Sequence, residues 1–326
     1  KAQSTKIQTI KWRLVNASNP DVSCTVSIVL PAFNEQTIVA EVVREVREAL
    51  DGWPDGYEIL VVDDGSTDRT ADSAEAAGAG VIRRAERGGY GAAVKTGLLA
   101  ARGEFVALID ADGSYDPADL PRLLATVADP RCGSVEPETS RPADGTYLQA
   151  IGVRDREAGS LRWLRAPAKW VIRKFAEWIA GRRIPDLNSG IRVFRRDVML
   201  KYLWVIPDGF SCSTSITLAF LSNGHAVRFV PVTYRPRDGR SKFRPLRDGT
   251  NYAFTIIRMT TYFRPLRVFV PLAAALALAA VVKGAYDIIH SPTGLGDTDV
   301  ILAVGSLVVF AVGLLADLIV AQKRDA

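Results

Sequence analysis

A chain of 326 residues can bury a large core and allows one big domain or two modest ones. Three widely spaced cysteines, Cys24, Cys132 and Cys212, and only two histidines, His225 and His290, argue against a disulfide framework, a CxxC metal site, histidine-based metal binding and Ser-His-Asp hydrolysis; a reducing compartment is expected for the soluble part. The net charge of +5 suits an anionic lipid surface or a phosphorylated substrate as well as nucleic acid, and nucleic acid is not among the partners expected.

In chain order, the sequence opens on Lys1 with no signal-peptide pattern, and residues 1–24 read as an N-terminal extension. Strand and helix then alternate. Val26 to Pro31 is a strand and Ile38 to Leu50 a helix with apolar residues at helical spacing; Tyr57 to Val62 is a strand and Asp68 to Ala77 a helix. Val81-Ile82 is a short strand, Gly91 to Ala101 a helix, and Phe105 to Ile109 the fourth strand. This rhythm predicts an α/β fold with a doubly wound, mostly parallel sheet. Asp129 to Gly145, rich in Pro, Gly, Glu and Ser, reads as a mobile loop. After it come a strand (Leu148 to Val153), a basic amphipathic stretch (Leu161 to Ile179), a strand (Ile191 to Arg195), a helix near Thr214 to Ser222 and a strand (Ala226 to Val232).

The carboxyl ends of the strands carry the chemistry. The fourth strand runs into Asp110-Ala111-Asp112, where open α/β sheets bind their ligands. Two carboxylates one residue apart can hold a hard divalent cation, and that cation a diphosphate. A solvated strand end is the plainer reading, because Asp116-Pro117 looks like the start of the next helix. The first strand ends in Pro31-Ala32-Phe33-Asn34-Glu35 and the second in Asp63-Asp64-Gly65-Ser66-Thr67-Asp68, so carboxylates from three strand ends converge on one crevice. Ser66 or Thr67 could serve as helix N-cap there. Arg87-Gly88-Gly89-Tyr90-Gly91 only half resembles a dinucleotide fingerprint; it lies after the third strand and its spacing is wrong. It reads as a close-packed loop and helix start near a nucleotide.

The last sixty or so residues change the class. Val268 to Val282 and Val300 to Ala316 carry no charge, and with their flanks give two spans, about 266–286 and 300–321, near the length that crosses a bilayer. A pair of buried core helices is the alternative. Arg264, Arg267, Lys323 and Arg324 flank the outer ends, while the connection carries Asp287, Asp297 and Asp299 against Lys283. The positive-inside rule then predicts a multi-pass cell-membrane protein with both termini and the preceding domain in the cytoplasm. Phe243 to Phe263, with Arg244, Arg247 and Arg258, reads as an interfacial segment leading into the first span (the linker 244–265). Trp163, Trp170 and Trp178, among Arg173, Lys174, Arg182 and Arg183, read as headgroup contacts.

Taken in order, Pro31 to Glu35, Asp63 to Asp68, Asp110 to Asp112, Asp186-Leu187-Asn188-Ser189-Gly190-Ile191-Arg192 and Arg237-Asp238-Gly239-Arg240-Ser241-Lys242 resemble the family 2 glycosyltransferases of GT-A fold, in the branch of dolichyl- and polyprenyl-phosphate sugar synthases. The similarity covers roughly Val26 to Lys242, which gives a catalytic domain of 25–243 and a hairpin of 266–322. It implies an inverting transfer of one sugar from a nucleotide sugar, UDP- or GDP-linked, to a membrane polyprenyl phosphate, with Mg²⁺ or Mn²⁺ as cofactor. By the resemblance, Pro31, Ala32, Glu35 and Asp64 line the nucleoside pocket. Asp110 holds the nucleotide-sugar side and, with Asp112 and more weakly Ser114, the metal. Arg237, Ser241 and Lys242 match a loop that closes over the donor phosphates. Asp186 and Ser189 border the sugar and the acceptor, although Asp186 in a Pro-Asp-Leu-Asn turn is also a plain Asx-turn residue. Arg154, and after it Arg165, are the acceptor-phosphate residues. The family's acidic residue after its Ser-rich turn has no counterpart in Ser213-Thr214-Ser215-Ile216.

That chemistry is sensible without the family. A phosphate acceptor is already anionic, so no strong base is required; the task is to bring two anions together, with metal on the leaving diphosphate and arginine at the acceptor. Two other readings stand beside it: a family 2 transferase acting on a different membrane lipid, and an idle membrane scaffold that senses nucleotide sugar. A homo-oligomer is left open.

Overall fold

The computed structural model describes residues 25–54, 56–128, 146–154, 173–174, 176–178, 180–209, 211–235, 257–258, 260–290 and 296–325. Among the described residues seven strands form one sheet: β1 Val26–Ala32, β2 Tyr57–Asp63, β3 Gly80–Arg83, β4 Phe105–Leu108, β5 Gln149–Arg154, β6 Arg192–Arg195 and β7 Val227–Val232. Their spatial order is β3-β2-β1-β4-β6-β5-β7. The pairs β3-β2, β2-β1, β1-β4 and β5-β7 are parallel, whereas β6 runs antiparallel to both β4 and β5. Six strands therefore point one way and β6 alone is reversed. The reversal matters for the site: the carboxyl ends of β4, β5 and β7 and the amino end of β6 meet on one edge.

Helices cover both faces. They are α1 Val39–Ala49, α2 Thr70–Ala76, α3 Tyr90–Ala100, α4 Leu120–Ala128, α5 Arg196–Leu200 and α6 Cys212–Ser222. Alternation along β1 splits the core in two. Val29 faces α3 and α6 with Leu60, Val62, Val94, Leu98 and Phe220, while Ile28 and Leu30 face α1 and α4 with Val39, Val43, Leu120 and Leu124. In α1 the buried residues are Val39, Val42, Val43 and Val46, a single helical stripe. The expected start at Asp116-Pro117 is present: the Asp116 carboxylate accepts from Ala118 N at 3.0 Å and Pro117 opens the turn before α4. The cap expected at Ser66 or Thr67 is not. Helix α2 begins later, at Thr70, and the two hydroxyl residues bond the β1 loop instead: Asn34 N donates to Ser66 Oγ (2.9 Å) and Thr67 N to Asn34 Oδ1 (2.9 Å). Two loops that must both present backbone at one crevice are thus laced together.

The C-terminal segment forms two helices, α7 Leu266–His290 and α8 Asp297–Asp325. Each holds a stretch, of 25 and 26 residues, long and apolar enough to cross a membrane, with mean hydropathy 2.1 and 2.4 and little of it buried against protein. That exposure argues against the buried-core alternative. They form an antiparallel hairpin. Ser306 Oγ donates to Ala273 O (2.9 Å), Gly313 lies against Phe269, and Lys283 pairs with Asp287 on its own helix and with Asp299 at 3.2 Å on the other. Lys283 is therefore engaged by carboxylates of both helices. Near the start of α7, Trp204 packs on Tyr262 and Phe263, with ring centroids 5.3 and 6.4 Å apart, and Arg267 donates to Trp178 O at 2.6 Å. The hairpin is thereby joined to the catalytic domain.

Candidate active site

Pro31 and Ala32 end β1 in the buried core, and Asp64 N donates to Ala32 O (2.9 Å) across the β1-β2 junction. Glu35 N bonds Thr70 Oγ1 at 2.9 Å, which fixes the loop above them. Asp63 turns inward and accepts from Ser66 N at 3.1 Å, a local turn rather than a ligand position. Asp64 is 3% exposed, and its carboxylate meets Gly88 N (2.9 Å), Gly89 N (2.7 Å) and Arg84 Nε (2.9 Å). It staples the β3-α3 loop to the end of β2. That loop is close-packed as expected. A Cβ on Gly91 would stand 1.9 Å from Pro207 O, and Gly91 N donates to Asp208 O at 2.8 Å, so no side chain fits where α3 begins.

The staple presents Tyr90, whose hydroxyl donates to Asp110 Oδ1 at 2.9 Å. Burial and the nearby Asp112 charge raise the Asp110 carboxyl to about 6, against the pull of the Tyr90 hydrogen bond and of Arg154 and Arg192. Asp112 sits half-buried two residues on, with Oδ1 accepting Ser114 N at 3.1 Å. Ser114 is 2% exposed, and its carbonyl accepts Arg235 N at 2.8 Å. Tyr115 then bridges to Tyr234 in the one isolated β-bridge among the described residues, with the rings 5.3 Å apart, edge to face. Arg235 is held by Glu45 (2.8 and 2.9 Å) and Asp116 (3.0 Å). The residues just before Arg237 are therefore strapped to those just after Asp112.

Arg154 at the end of β5 grips Asp186 through Nε (2.7 Å) and Nη2 (2.9 Å), and its guanidinium lies 5.5 Å from the Tyr234 ring centroid. Burial opposes the charge on Arg154, but the Asp186 carboxylate more than restores it and holds the guanidinium above its ordinary range. Asp186 also accepts Asn188 N at 3.0 Å, so it is both Asx-turn residue and ion-pair partner. The turn carries Ser189 and Gly190 back over Asp110: Gly190 N donates to Tyr115 Oη (2.8 Å), and a Cβ at Gly190 would fall 2.0 Å from Asp110 Oδ2. Only glycine lets the backbone lie on that carboxylate.

Among the residues singled out from sequence, one edge of the sheet thus holds Asp110, Asp112, Ser114, Arg154, Asp186 and Ser189, with Pro31, Ala32, Glu35 and Asp64 at its β1-β2 side. Arg165, Arg237, Ser241 and Lys242 lie outside the described residues, as do the loop 129–145, most of the basic stretch 161–179, the interfacial segment up to 256 and the N-terminal 24 residues. Sequence reasoning assigned no role to Tyr90, Tyr115, Tyr234 or Arg192. Tyr90 carried a signal, standing after two glycines at a helix start, and Arg192 closes the Asp186–Arg192 motif; Tyr115 and Tyr234 meet through the isolated bridge.

The donor set fits a divalent cation bound through few protein ligands. Among the described residues there is no cluster of three or more His, Cys, Asp or Glu side chains. Asp110 and Asp112 offer two adjacent carboxylates whose mutual repulsion a cation would relieve, leaving the remaining positions to phosphate oxygens and water.

Residues 27–203 match glycosyl transferase family 2, and residues 264–321 match the GtrB C-terminal hairpin. A low-salt glycan biosynthesis hexosyltransferase, Agl6, of Haloferax volcanii is 30% identical over 91% of this chain and 70% of its own. A dolichyl-phosphate hexose transferase of the same organism is 28% identical over 72% of this chain and 92% of its own, and an undecaprenyl-phosphate 4-deoxy-4-formamido-L-arabinose transferase of Edwardsiella ictaluri is 28% identical over 79% and 75%. In fold, the chain is similar to glucosyl-3-phosphoglycerate synthase of Mycobacterium tuberculosis, solved with Mn²⁺, UDP and glucosyl-3-phosphoglycerate (TM-score 0.55, 20% identity, covering 72% of this chain and 80% of that one). The sheet with its single reversed strand, the Asp-x-Asp at the end of β4 and the terminal hairpin agree with these matches: the chain is a glycosyltransferase and belongs to glycosyl transferase family 2, in its polyprenyl-phosphate sugar synthase branch.

Proposed function

We propose that the protein transfers one sugar from a nucleotide sugar, UDP- or GDP-linked, to a polyprenyl phosphate at the cytoplasmic face of the cell membrane, with inversion at the anomeric carbon. The observation that carries this reading is that the carboxylates Asp110 and Asp112 and the bidentate Arg154–Asp186 pair lie at one sheet edge, close enough for the Arg154 charge to pull on the Asp110 carboxyl, in a domain joined to a hairpin of bilayer length. The named relatives that act on dolichyl and undecaprenyl phosphates support the acceptor class.

In this reading Asp110, Asp112 and, through its hydroxyl, Ser114 hold Mg²⁺ or Mn²⁺. When bound there, the metal would supply positive charge to the donor diphosphate as it becomes the leaving group. Pro31, Ala32 and Glu35 line the nucleoside side, while Asp64 supports it indirectly by fixing Gly88 and Gly89. Ser189 and Gly190 carry backbone to the sugar side of Asp110. Arg154 is the acceptor-phosphate residue, with Asp186 orienting its fork and keeping it charged. Arg165 joins it, and Arg237, Ser241 and Lys242 cover the donor phosphates. The acceptor oxygen is anionic at neutral pH, so the protein supplies orientation and charge, and no side chain is needed to remove a proton. Radiolabelled UDP- and GDP-sugars, added with a polyprenyl phosphate to membranes carrying the protein, test this. A labelled lipid sensitive to mild acid is expected; label entering a diacylglycerol lipid, or none entering lipid, refutes it.

A further inference from the structure

Among the described residues, Arg192 is the largest charged side chain wholly inside the molecule, at 0% exposure, and it faces no carboxylate there at hydrogen-bond distance. Its guanidinium spans two elements. Nη2 donates to Ser189 O (2.6 Å), on the turn that lies over Asp110; Nη1 donates to Ser213 O (2.9 Å) and Thr217 Oγ1 (3.2 Å), both on α6. A second tie runs alongside, from Thr214 Oγ1 to Asn188 Oδ1 at 2.5 Å. Burying an arginine on neutral acceptors is costly. A packing role alone would be served by an apolar residue of similar volume. The fork instead reaches the carbonyl one residue before Gly190, the glycine that has no room for a side chain against Asp110.

We propose that Arg192 is a positioning residue for glycosyl transfer: it braces the Ser189-Gly190 turn against α6, and so fixes the backbone beside Asp110 where the donor's sugar end rests. It touches no substrate. The catalytic part of the inference rests on the functional reading above; the brace itself does not. Lysine keeps the charge but, with a single ammonium, cannot bond carbonyls on two elements in a planar fork. Arg192→Lys is therefore the informative variant, and Thr217→Val, which removes the longest of the three bonds together with the bond that Thr217 Oγ1 donates to Ser213 O (3.0 Å), is its mild companion.

The test pairs hydrogen exchange with kinetics on the full-length protein in detergent, below the melting temperature of every variant. In Arg192→Lys, exchange in a peptide covering 186–191 should accelerate at least about tenfold while a β1 peptide stays as in wild type. Turnover should fall by about tenfold or more, with the Kd for UDP or GDP in Mn²⁺ changed less than about threefold. Thr217→Val should stay within about threefold of wild type on all counts. Unchanged exchange at 186–191 overturns the brace. Acceleration that extends equally to β1 overturns it too, in favour of general destabilisation. Local acceleration with wild-type turnover overturns the positioning role. If the wild-type protein transfers no sugar to polyprenyl phosphate, the functional reading fails while the exchange arm still decides the brace.

Discussion

Arg154 and Asp186 meet through two parallel N–H···O bonds, at 2.7 and 2.9 Å, with their side chains 21% and 10% exposed. The pair changes what a substitution at Arg154 does. Removing the arginine strips a partly buried carboxylate of its counter-charge as well as removing a phosphate-binding group. Arg154→Ala is expected to lower stability by about 1–3 kcal/mol and to raise the acceptor KM or lower kcat strongly, while leaving donor binding nearly unchanged. Arg154→Lys should recover part of each. The double variant Arg154→Ala/Asp186→Asn should regain stability without regaining activity. Denaturation midpoints beside kinetics with donor and acceptor varied separately decide it; wild-type acceptor kinetics in Arg154→Ala would remove the residue from the acceptor site.

Asp112 tests the metal. It stands half-buried beside Asp110, and among the described residues no larger cluster of metal-binding side chains could substitute. Asp112→Ala should fold normally, lose Mn²⁺-dependent donor binding and drop turnover by about 10²–10³-fold. Calorimetric titration of nucleotide with and without EDTA is the measurement. Full activity of wild type in EDTA would exclude a metal role.

Asp110 predicts a pH signature. Its folded carboxyl lies at about 6, above the unfolded value of 3.8. Between those values the folded state holds more protons than the unfolded, so stability falls as pH rises through that window and levels off above it. The ionised carboxylate then costs up to about 3 kcal/mol in metal-free protein. Asp110→Asn removes that cost. In EDTA it should be more stable than wild type at pH 7.5, with the difference shrinking towards pH 4. An equal difference at both pH values would show that Asp110 does not titrate as described.

The hairpin has a directional test. The Lys283, Asp287 and Asp299 cluster marks the end of the hairpin away from the catalytic domain. A cysteine at Thr293, in a chain whose native cysteines are replaced, should react with an impermeant thiol reagent added outside intact cells, and cysteines near either terminus should not. Labelling of the termini instead would invert the proposed orientation.

The positions of all seven strands were legible in the sequence, because short Val- and Ile-rich runs between Gly, Pro and Asp punctuation have few other uses. So was the hairpin: uncharged stretches of bilayer length announce themselves by composition alone. Asp110 and Asp112 were marked by their place behind a buried strand. What the sequence could not give is anything that depends on strand order. Chain order says nothing of β6 running backwards between β4 and β5, yet that reversal brings the turn at Asp186 to the same edge as Asp110 and Arg154, residues 32 to 76 positions away. Nor could residue type reveal that Asp64 spends its carboxylate on Gly88 and Gly89, or that Arg192 points into the core and not at a phosphate. Local patterns are set by the period of one element, which the sequence carries; the partner of a polar side chain is set by which distant backbone atoms the sheet brings within 3 Å or so, and only the tertiary structure decides that.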